Sequence, residues 1–372
     1  MPRIDQFVPS FARHDAIGNH VLQLRRLFHG AGYDSEIFFE HIDPRLAGQA
    51  RHFEEADPRP DADRVLLYHA STHTDMNDWL ISAGAAGQRI VVDYHNMTPA
   101  RYFSAWEPRA ARSMEQGRLQ LAQLAPYVTG AVADSQYNAD ELADFGIHGA
   151  VVCPILLDLS DYHLAPEPAV AARLTSHPLW LFVGRLAPNK CQHDVVAAFA
   201  AYHRLYQPGS RLAIIGGATS RRYESELRFL ADRLGVAGAV DFVGSAPFPE
   251  LLAYFHRADV FVCLSEHEGF CVPVIEAMEL GVPVVAYEAA AVTETVADAG
   301  LLLADKDPMV VAHAVHELLA DDARRSEAVE KGRARAAAFA LDATSQRWLN
   351  ELGRIAPPGR STHSPTPPSV TL

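Results

Sequence analysis

The sequence is poor in lysine and in net positive charge. Its 372 residues include only three lysines, Lys190, Lys306 and Lys331, and the other basic side chains are arginines. The 46 acidic residues outnumber the 32 basic ones and give a formal net charge of −14. This balance argues against general binding of nucleic acid, which needs a basic surface to neutralise phosphates. It also argues against wide electrostatic attachment to anionic lipid, while a local peripheral contact with a membrane stays open.

Cysteines are few and long apolar runs are absent. The four cysteines form no C-x-x-C pair, which argues against a disulfide framework or a zinc site and favours a reduced protein with buried thiols. No run of about 18 apolar residues occurs, so no transmembrane helix is predicted. The first residues include Asp5 and lack the apolar stretch of a signal peptide. We therefore expect a cytoplasmic protein, with the inner face of the membrane as the alternative that stays open.

Alternating apolar and helical patterns run through both halves of the chain. Apolar runs typical of strands occur at residues 4–8, 35–39, 65–68, 90–93, 130–133, 151–153, 179–183, 212–215, 240–243, 260–264, 284–286 and 301–303. Helical patterns lie between them, for example at residues 19–29, 109–124 and 138–145, the last with Asn138 and Glu141 spaced as a capping box. Strands that alternate with helices indicate parallel β-α-β units.

This order predicts an α/β protein with two Rossmann-like, doubly wound domains that face each other across a cleft. We place the first domain at residues 1–160 and the second at residues 161–355. Prolines and polar residues at 154–178 indicate the linker region between them. Residues 356–372 contain five prolines and few large apolar side chains, so we expect a disordered tail.

Two carboxylates, Glu268 and Glu276, form the most informative pair in the chain. The apolar run at residues 259–264 precedes them and a helical pattern follows, so Glu268 is predicted on a strand-to-helix turn and Glu276 in the first helical turn. Pro273 suits the first helical position. Such a helix start presents free N–H groups and a positive dipole end to a phosphate. The carboxylates would then accept hydrogen bonds from hydroxyls on either side, although exposed glutamates near helix starts are common without a ligand.

Four stretches together carry a resemblance to a known family. The first is the Glu268 to Glu276 phrase, and the second is residues 181–190, with a strand, a Gly184-Arg185 turn and Lys190. The third is residues 281–286 followed by Glu294, and the fourth and weakest comprises residues 15–20 and 93–99. In this combination the chain resembles retaining glycosyltransferases of the GT-B fold, specifically glycosyltransferase family 4.

The resemblance implies a role for each matching residue. Arg185 and Lys190 would stabilise the diphosphate as negative charge grows on the leaving group. Glu268 would lie on the sugar side near the reacting carbon, and His95 would contact the donor sugar. Glu276 would bind the ribose hydroxyls. The residues implied in donor binding are Gly18, Gly184, Gly217, Gly269, Phe270, Cys271, Val272, Glu276 and Glu294.

The sequence departs from the family pattern in one place and offers no metal motif of its own. Ala290-Ala291 stands where many relatives have Gly-Gly, and alanine does not readily take positive φ angles, which puts the turn and the role of Glu294 in doubt. The Asp-x-Asp spacings at 61–63 and 305–307 lie in polar loops that solvation explains better. We expect neither a metal requirement nor a cofactor. The candidates for acceptor contact are Asp15, His20, Asn96 and Arg101.

The expected function is transfer of a sugar from a nucleotide-diphosphate sugar, GDP- or UDP-linked, to a glycan or lipid-linked acceptor. A setting in cell-surface polysaccharide synthesis follows from the same resemblance. Two alternatives stay open: a sugar-nucleotide epimerase of the same fold, and a nucleotide-sugar-binding module without catalysis. The presence of Arg185, Lys190, Glu268 and Glu276 together favours transfer.

Overall fold

The chain folds into two parallel β-sheets, each packed between helices. The computed structural model describes residues 2–12, 15–175 and 178–355. The tail expected at 356–372 therefore lies outside the described residues. No helix in the described ranges combines the length and apolar character that a membrane span requires.

The first sheet has seven strands in the order β3-β2-β1-β4-β5-β6-β7, and every pairing is parallel. Its strands are β1 (Arg3–Phe11), β2 (Ile37–Ile42), β3 (Arg51–His52), β4 (Arg64–Ala70), β5 (Arg89–Tyr94), β6 (Val128–Ala133) and β7 (Val151–Val152). The helices that accompany it are α1 (Ala16–Gly30), α2 (Met76–Ala85), α3 (Pro108–Leu124) and α4 (Gln136–Asp144).

The second sheet has six strands in the order β10-β9-β8-β11-β12-β13, again all parallel. After the short helix α5 (Pro168–Arg173), its strands are β8 (Leu179–Val183), β9 (Arg211–Ile215), β10 (Val240–Gly244), β11 (Val260–Cys263), β12 (Val284–Tyr287) and β13 (Leu301–Leu303). The remaining helices are α6 (Gln192–Leu205), α7 (Arg221–Arg233), α8 (Phe248–Arg257), α9 (Val272–Glu279), α10 (Ala290–Val296), α11 (Pro308–Ala320), α12 (Asp322–Ala337) and α13 (Leu341–Ile355).

Two parallel Rossmann-like sheets confirm the predicted fold class, and the differences are local. The capping box at Asn138 is wrong: α4 begins at Gln136, and the Ser135 side chain accepts from the Asn138 N–H. The Glu141 carboxylate instead accepts from Tyr94 Oη at 2.6 Å. Pro273 is the second residue of α9 and not the first, and Glu276 is the fifth, so Glu276 lies one residue further from the helix start than expected and just beyond the first turn.

The last helix of the second half packs on the first sheet. Trp348 of α13 is fully buried and contacts a cluster that includes Ile4, Leu24 and Phe28 of β1 and α1. Its indole Nε1 donates to the Pro154 carbonyl at 3.4 Å. Burying an aromatic side chain of this size stabilises by about 1.5–3 kcal/mol, so α13 holds the two halves together.

Candidate active site

The carboxyl ends of β8, β9 and β10 approach one another closely. Gly184 and Gly216 directly follow β8 and β9, and Gly244 ends β10; their φ angles are positive, at 149°, 143° and 77°. A Cβ on Gly216 would lie 2.0 Å from the Gly184 carbonyl oxygen, so no larger residue fits there. Gly217 follows this close approach, where a Cβ would meet Ser245 Oγ at 3.1 Å. The Gly-rich turn is therefore required by backbone packing in its own right.

The loop between β11 and α9 contacts the first domain. A Cβ on Gly269 would lie 2.7 Å from the Asn96 Cβ and 2.9 Å from the His95 carbonyl oxygen. The Gly269 carbonyl also accepts from Ser135 Oγ at 2.9 Å. Cys271, the residue before α9, has a φ of 76°. Position 269 therefore requires glycine, because any side chain there would clash with the first domain.

Backbone donors are available at the start of α9. In the described ranges, the N–H groups of Gly269, Phe270 and Cys271 have no hydrogen-bond acceptor. They precede Val272, the first helical residue, where the helix dipole is positive. Phe270 is buried with its ring 5.2 Å from that of Phe339, which fixes the loop from behind. Free N–H groups at a helix N-terminus suit an anion.

Lys190 and Glu268 form an ion pair. We call these two residues and Ser265 the lysine cluster. Lys190 Nζ lies 2.6 and 2.9 Å from the two Glu268 carboxylate oxygens, and Ser265 Oγ donates to Glu268 Oε1 at 2.8 Å. The two charged side chains are 14% and 11% exposed. Burial acts to lower the pKa of Lys190, but the charge and hydrogen bond of Glu268 outweigh burial and leave that pKa raised. Lys190 therefore stays protonated.

Arg185 differs from Lys190 in having no side-chain partner among the described residues. Its side chain is exposed at the end of β8, and its guanidinium makes no hydrogen bond or ion pair within the described parts of the chain. Its backbone carbonyl accepts from Gln192 Nε2 at 2.9 Å. The site therefore has two cationic side chains, an exposed guanidinium and a largely buried ammonium that is paired with Glu268.

Glu276 is bonded to a residue that sequence reasoning did not single out. Its carboxylate accepts a short hydrogen bond from the Tyr162 hydroxyl. The Tyr162 ring packs edge-on against Phe248 at 5.0 Å. Burial raises the pKa of Glu276 to about 7, and the Tyr162 hydrogen bond opposes that rise. Tyr162 lies in the region interpreted as linker, where no local pattern distinguished it.

Ala290 adopts the conformation that its sequence argued against. Its φ is 48°, in the left-handed region, and the Ala291 N–H that follows donates to the Glu268 carbonyl at 3.3 Å. The turn expected of Gly-Gly is thus retained with alanine. Glu294 is exposed, and its carboxylate accepts from the Gln136 N–H at 2.8 Å. In this structure Glu294 caps α4 of the other domain.

His95 lies in a buried cluster of imidazoles and carboxylates. We call this group the histidine cluster; it comprises His20, His69, Asp93, His95 and Asp134. His95 Nδ1 is 2.9 Å from Asp134 Oδ2 and its Nε2 is 3.0 Å from His69 Nδ1. The ring is only 2% exposed, and both of its nitrogens have partners within the cluster. The part of His95 that meets the Gly269 loop is its backbone carbonyl.

Burial and charge act in opposite directions within the histidine cluster. Burial alone would lower the pKa of His95, but Asp134 and Asp93 outweigh burial and raise that pKa to about 9. For His69, burial prevails and lowers the pKa to about 4. Burial opposes ionisation of Asp93, yet the neighbouring imidazoles hold its pKa below the ordinary range.

The other predicted residues divide between surface and interior. Asp15 is exposed and caps α1 by accepting from the Gly18 N–H at 3.2 Å. Gly18 itself is packed so closely that a Cβ would meet the Ala12 carbonyl oxygen at 2.1 Å. Arg101 is exposed and lies over the Tyr102 ring at 4.8 Å. Asn96 is buried with a φ of 75° and donates to Asn138 Oδ1 at 2.9 Å.

The two Asp-x-Asp stretches lie in exposed loops. The Asp61 carboxylate accepts from the Asp63 N–H at 2.9 Å, and Asp305 accepts from the Asp307 N–H at the same distance. These are local turn contacts of the kind that short acidic side chains form with their own backbone.

A cavity of about 210 Å³ opens behind the Gly269 loop. Phe270, Glu294, Asp134 and Arg335 are among its lining residues. Ligand sites usually enclose about 300–1,000 Å³, so this space is small for a nucleotide sugar. Its lining includes neither Lys190 nor Glu268, and we do not assign it to the donor.

Known proteins resemble the chain in both sequence and structure. The family of glycosyl transferases group 1 matches residues 168–335. A D-inositol 3-phosphate glycosyltransferase from Acidothermus cellulolyticus is 39% identical over 177 residues, which are 45% of this chain and 39% of that protein. A GDP-mannose-dependent α-(1-6)-phosphatidylinositol monomannoside mannosyltransferase from Mycolicibacterium smegmatis is 33% identical over 207 residues, 52% of each chain. The chain thus spans about half the length, or less, of the curated relatives it matches.

Solved structures extend the likeness over nearly the whole chain. Anabaena HepE in complex with UDP and glucose superposes with a TM-score of 0.73 at 16% identity, covering 95% of this chain and 100% of the other. Sucrose-phosphate synthase from Thermosynechococcus elongatus gives a TM-score of 0.70 at 19% identity, covering 95% and 98%. At such identities the likeness shows the fold alone. Residues 168–335 therefore belong to the glycosyl transferases group 1 family, within a chain that has the two-domain GT-B fold.

Proposed function

We propose that the chain is a retaining glycosyltransferase that moves a sugar from a nucleotide-diphosphate sugar to a glycan or lipid-linked acceptor. The observation that carries this proposal is the arrangement around α9. The loop before α9 carries Glu268, which is paired with Lys190, and the N–H groups of residues 269–271, which have no acceptor among the described residues; Glu276 follows on α9. A diphosphate at the N–H groups would have the sugar near Glu268 and the ribose near Glu276.

The leaving group is stabilised by fixed charges. The bond from the sugar C1 to the diphosphate oxygen breaks, the acceptor oxygen forms the new bond to C1, and the acceptor proton is released. Negative charge grows on the diphosphate, where Arg185 and Lys190 offset it. Arg185 has no side-chain partner in the described residues that would compete with the diphosphate, whereas the Lys190 side chain is held in place by its ion pair with Glu268. Glu268 in turn offsets positive charge on the sugar ring.

Relatives indicate the classes of donor and acceptor. Their names include a GDP-mannose-dependent enzyme acting on a phosphatidylinositol monomannoside, and a structural neighbour binds UDP and glucose. We therefore assign a GDP- or UDP-linked hexose as donor, and an acceptor that is a glycan or is anchored to lipid in cell-surface polysaccharide synthesis. Reaching a lipid-linked acceptor would bring the chain to the inner face of the membrane as a peripheral protein.

The decisive experiment measures nucleoside diphosphate released by the purified chain. UDP- and GDP-hexoses are supplied with and without lipid extract or glycan primers as acceptors. Release that depends on acceptor is expected, and Glu268→Gln should abolish it while retaining nucleotide binding. Conversion of the donor sugar to its epimer without release would identify an epimerase. Binding without either product would identify a module that lacks catalysis.

Chelator tests the proposed independence from metal during turnover. If Arg185 and Lys190 replace a metal ion at the diphosphate, a short incubation with excess chelator leaves activity unchanged. Complete loss that magnesium or manganese restores would overturn this part of the proposal. It would direct attention to Asp61, Asp63, Asp305 and Asp307.

A further inference from the structure

Three groups of metal-ligating side chains lie within the described residues, and two of them already contain an ammonium. Lys190 Nζ lies 2.6 Å from Glu268 in the group of Cys263, Glu268 and Cys271. Lys306 Nζ lies 2.6 Å from Asp194 in the group of Cys191, His193 and Asp194. The third group belongs to the histidine cluster. Across the described ranges, no lysine or arginine forms an ion pair with its carboxylates, Asp93 and Asp134.

The histidine cluster sits where three elements of the first domain converge. His20 comes from α1, His69 from the end of β4, and Asp93 from β5, with His95 directly after that strand. Exposure of these side chains is 0–2%, and that of Asp134 is 4%. Asp93 Oδ1 and Asp134 Oδ1 have no hydrogen-bond partner in the described parts of the chain. Two buried carboxylates that face no lysine or arginine in the described ranges need another positive partner, either a protonated imidazole or a metal ion.

Outer partners fix which nitrogen of each imidazole carries a proton. The Leu156 N–H donates to His20 Nδ1 at 2.9 Å, so His20 Nε2 is protonated and donates to Asp93 at 3.0 Å. His69 Nε2 donates to Gln6 Oε1 at 3.1 Å. The Gln6 amide is oriented by its own donation to the Val21 carbonyl at 3.1 Å. The Asp134 carboxylate fixes the proton of His95 on Nδ1, which donates to it at 2.9 Å.

When each imidazole carries a single proton, three atoms that could bind a metal ion face one another. His69 Nδ1 is 3.0 Å from His95 Nε2 and 3.2 Å from Asp93 Oδ2, and His95 Nε2 is 3.6 Å from the same oxygen. Lone pairs at these distances repel unless a proton on one of the nitrogens or a metal ion lies between them. Ligands of a tetrahedral zinc ion are roughly 3.3 Å apart when the zinc–ligand bonds are about 2.0–2.1 Å long.

We propose that His69 Nδ1, His95 Nε2 and Asp93 Oδ2 bind a first-row divalent metal ion, best matched by zinc. Imidazole and carboxylate are ligands that zinc accepts, and the unpartnered Asp93 Oδ1 would let the carboxylate bind through both oxygens. Asp134 and Gln6 each accept from the second nitrogen of a ligating imidazole, and His20 donates to the ligating carboxylate. Such outer contacts orient ligands at zinc sites.

The ion has a structural role that is separate from sugar transfer. It joins β4 and β5 beneath the turn whose His95 carbonyl and Asn96 side chain meet Gly269. Because the ligands are buried, the ion enters as the chain folds and leaves only when it unfolds. Short exposure to chelator therefore does not remove it, which separates this inference from the chelator test above.

The test measures metal bound by the full chain after refolding. The protein is unfolded in guanidinium with chelator, then refolded with zinc chloride or without metal, desalted and analysed for zinc. About one zinc ion per chain is expected to be retained, with a higher Tm than the metal-free sample. A zinc content below about 0.1 per chain with identical Tm would overturn the inference and leave a proton as the bridging cation.

Matched variants locate the ion. His69→Gln should lose the zinc, whereas His193→Gln, in the group that already holds Lys306, should keep it. Retention by His69→Gln would overturn the assignment. If His69→Gln does not fold, anomalous diffraction from wild-type crystals at the zinc edge decides the question. A peak bonded to His69, His95 and Asp93 supports the site, and its absence there excludes it.

Discussion

The lysine cluster and the histidine cluster solve the same electrostatic problem in different ways. Both bury carboxylates at the carboxyl ends of parallel strands, on opposite sides of the contact between Gly269 and the first domain. The lysine cluster carries its cation on a flexible stem that is 14% exposed. The histidine cluster has only rigid imidazoles that are 0–2% exposed.

This difference indicates different roles. An ammonium on four rotatable carbons can stay paired with Glu268 while it also approaches a phosphate. Imidazoles packed between strands cannot move without disturbing the sheet, so their charges act on stability. We therefore expect changes in the histidine cluster to affect folding first and changes in the lysine cluster to affect turnover first.

The largest effect is expected from Asp93→Asn. The isosteric change removes the charge that His20, His69 and His95 all face. Breaking one side of a buried pair costs about 3–5 kcal/mol, which should appear in the free energy of unfolding measured with denaturant. Asp140→Asn, an exposed change on α4, is the control and should cost no more than about 0.5 kcal/mol. Equal stability of the two variants would remove the distinction between the clusters.

Lys190→Ala should reduce turnover by about a hundredfold or more, equivalent to roughly 2.7–4 kcal/mol in the barrier, because a preorganised donor to the leaving group is lost. Steady-state release of nucleoside diphosphate measures this. Arg185→Ala should have a similar effect, and the double variant should lose less than the product of the single losses, since both act on one diphosphate. Lys190→Arg should restore activity only in part. Full activity of Lys190→Ala would exclude it from leaving-group stabilisation.

Glu276→Ala should weaken binding of the nucleoside diphosphate by about 1.5–3 kcal/mol, the value of a hydrogen bond to a charged group. Isothermal titration with UDP and GDP gives the dissociation constants. Glu279→Ala is the control on the same helix, because Glu279 pairs with His163 instead of Tyr162. An unchanged constant for Glu276→Ala would contradict the ribose assignment.

The same carboxylate predicts a dependence of stability on pH. Burial raises the pKa of Glu276 to about 7 from its ordinary value of 4.5. Between these values the folded chain binds more protons than the unfolded chain, so this contribution to stability is lost as pH rises through 7. Wild-type Tm should therefore fall between pH 5 and pH 8 more steeply than the Tm of Glu276→Gln. Parallel curves would show that Glu276 titrates normally.

The smallest effect is expected from Ser135→Ala, at the contact between the domains. Ser135 caps α4 and donates to the Gly269 carbonyl. Loss of a helix cap costs about 1 kcal/mol. Thermal unfolding measures this loss, and Ser104→Ala, at an exposed position in the first domain, is the control. A loss well above 2 kcal/mol would show that the domain contact contributes more than the cap.

Local patterns predicted much of the architecture. The alternation of strands and helices predicted two parallel sheets. The strands could be recognised because a parallel sheet is buried on both faces, so each of its strands is a short apolar run in the sequence. The same patterns also placed Arg185 and Glu268 correctly after strands. The strand β3 was missed because its two residues are too few to show a periodic pattern. The start of α4 was misplaced because Glu141, expected in a capping box, instead bonds to Tyr94, which is distant in sequence.

Backbone strain shows where a local rule failed. Alanine at 290 argued against a left-handed turn, yet its φ is 48°. The left-handed conformation costs about 1–2 kcal/mol per residue. The bond from the Ala291 N–H to the Glu268 carbonyl accompanies this conformation, and it joins residues that are distant in sequence.

The sequence by itself determined the two-domain α/β architecture, the polar residues at the strand ends and the glycines where backbones meet. These features depend on side-chain periodicity and on steric limits within a few residues. Only the tertiary structure decided that Lys190 pairs with Glu268, that Tyr162 covers Glu276 and that His69 meets His95. Those partners lie 78, 114 and 26 residues apart, and their contact depends on strand order, loop path and burial, which together set the local electrostatics.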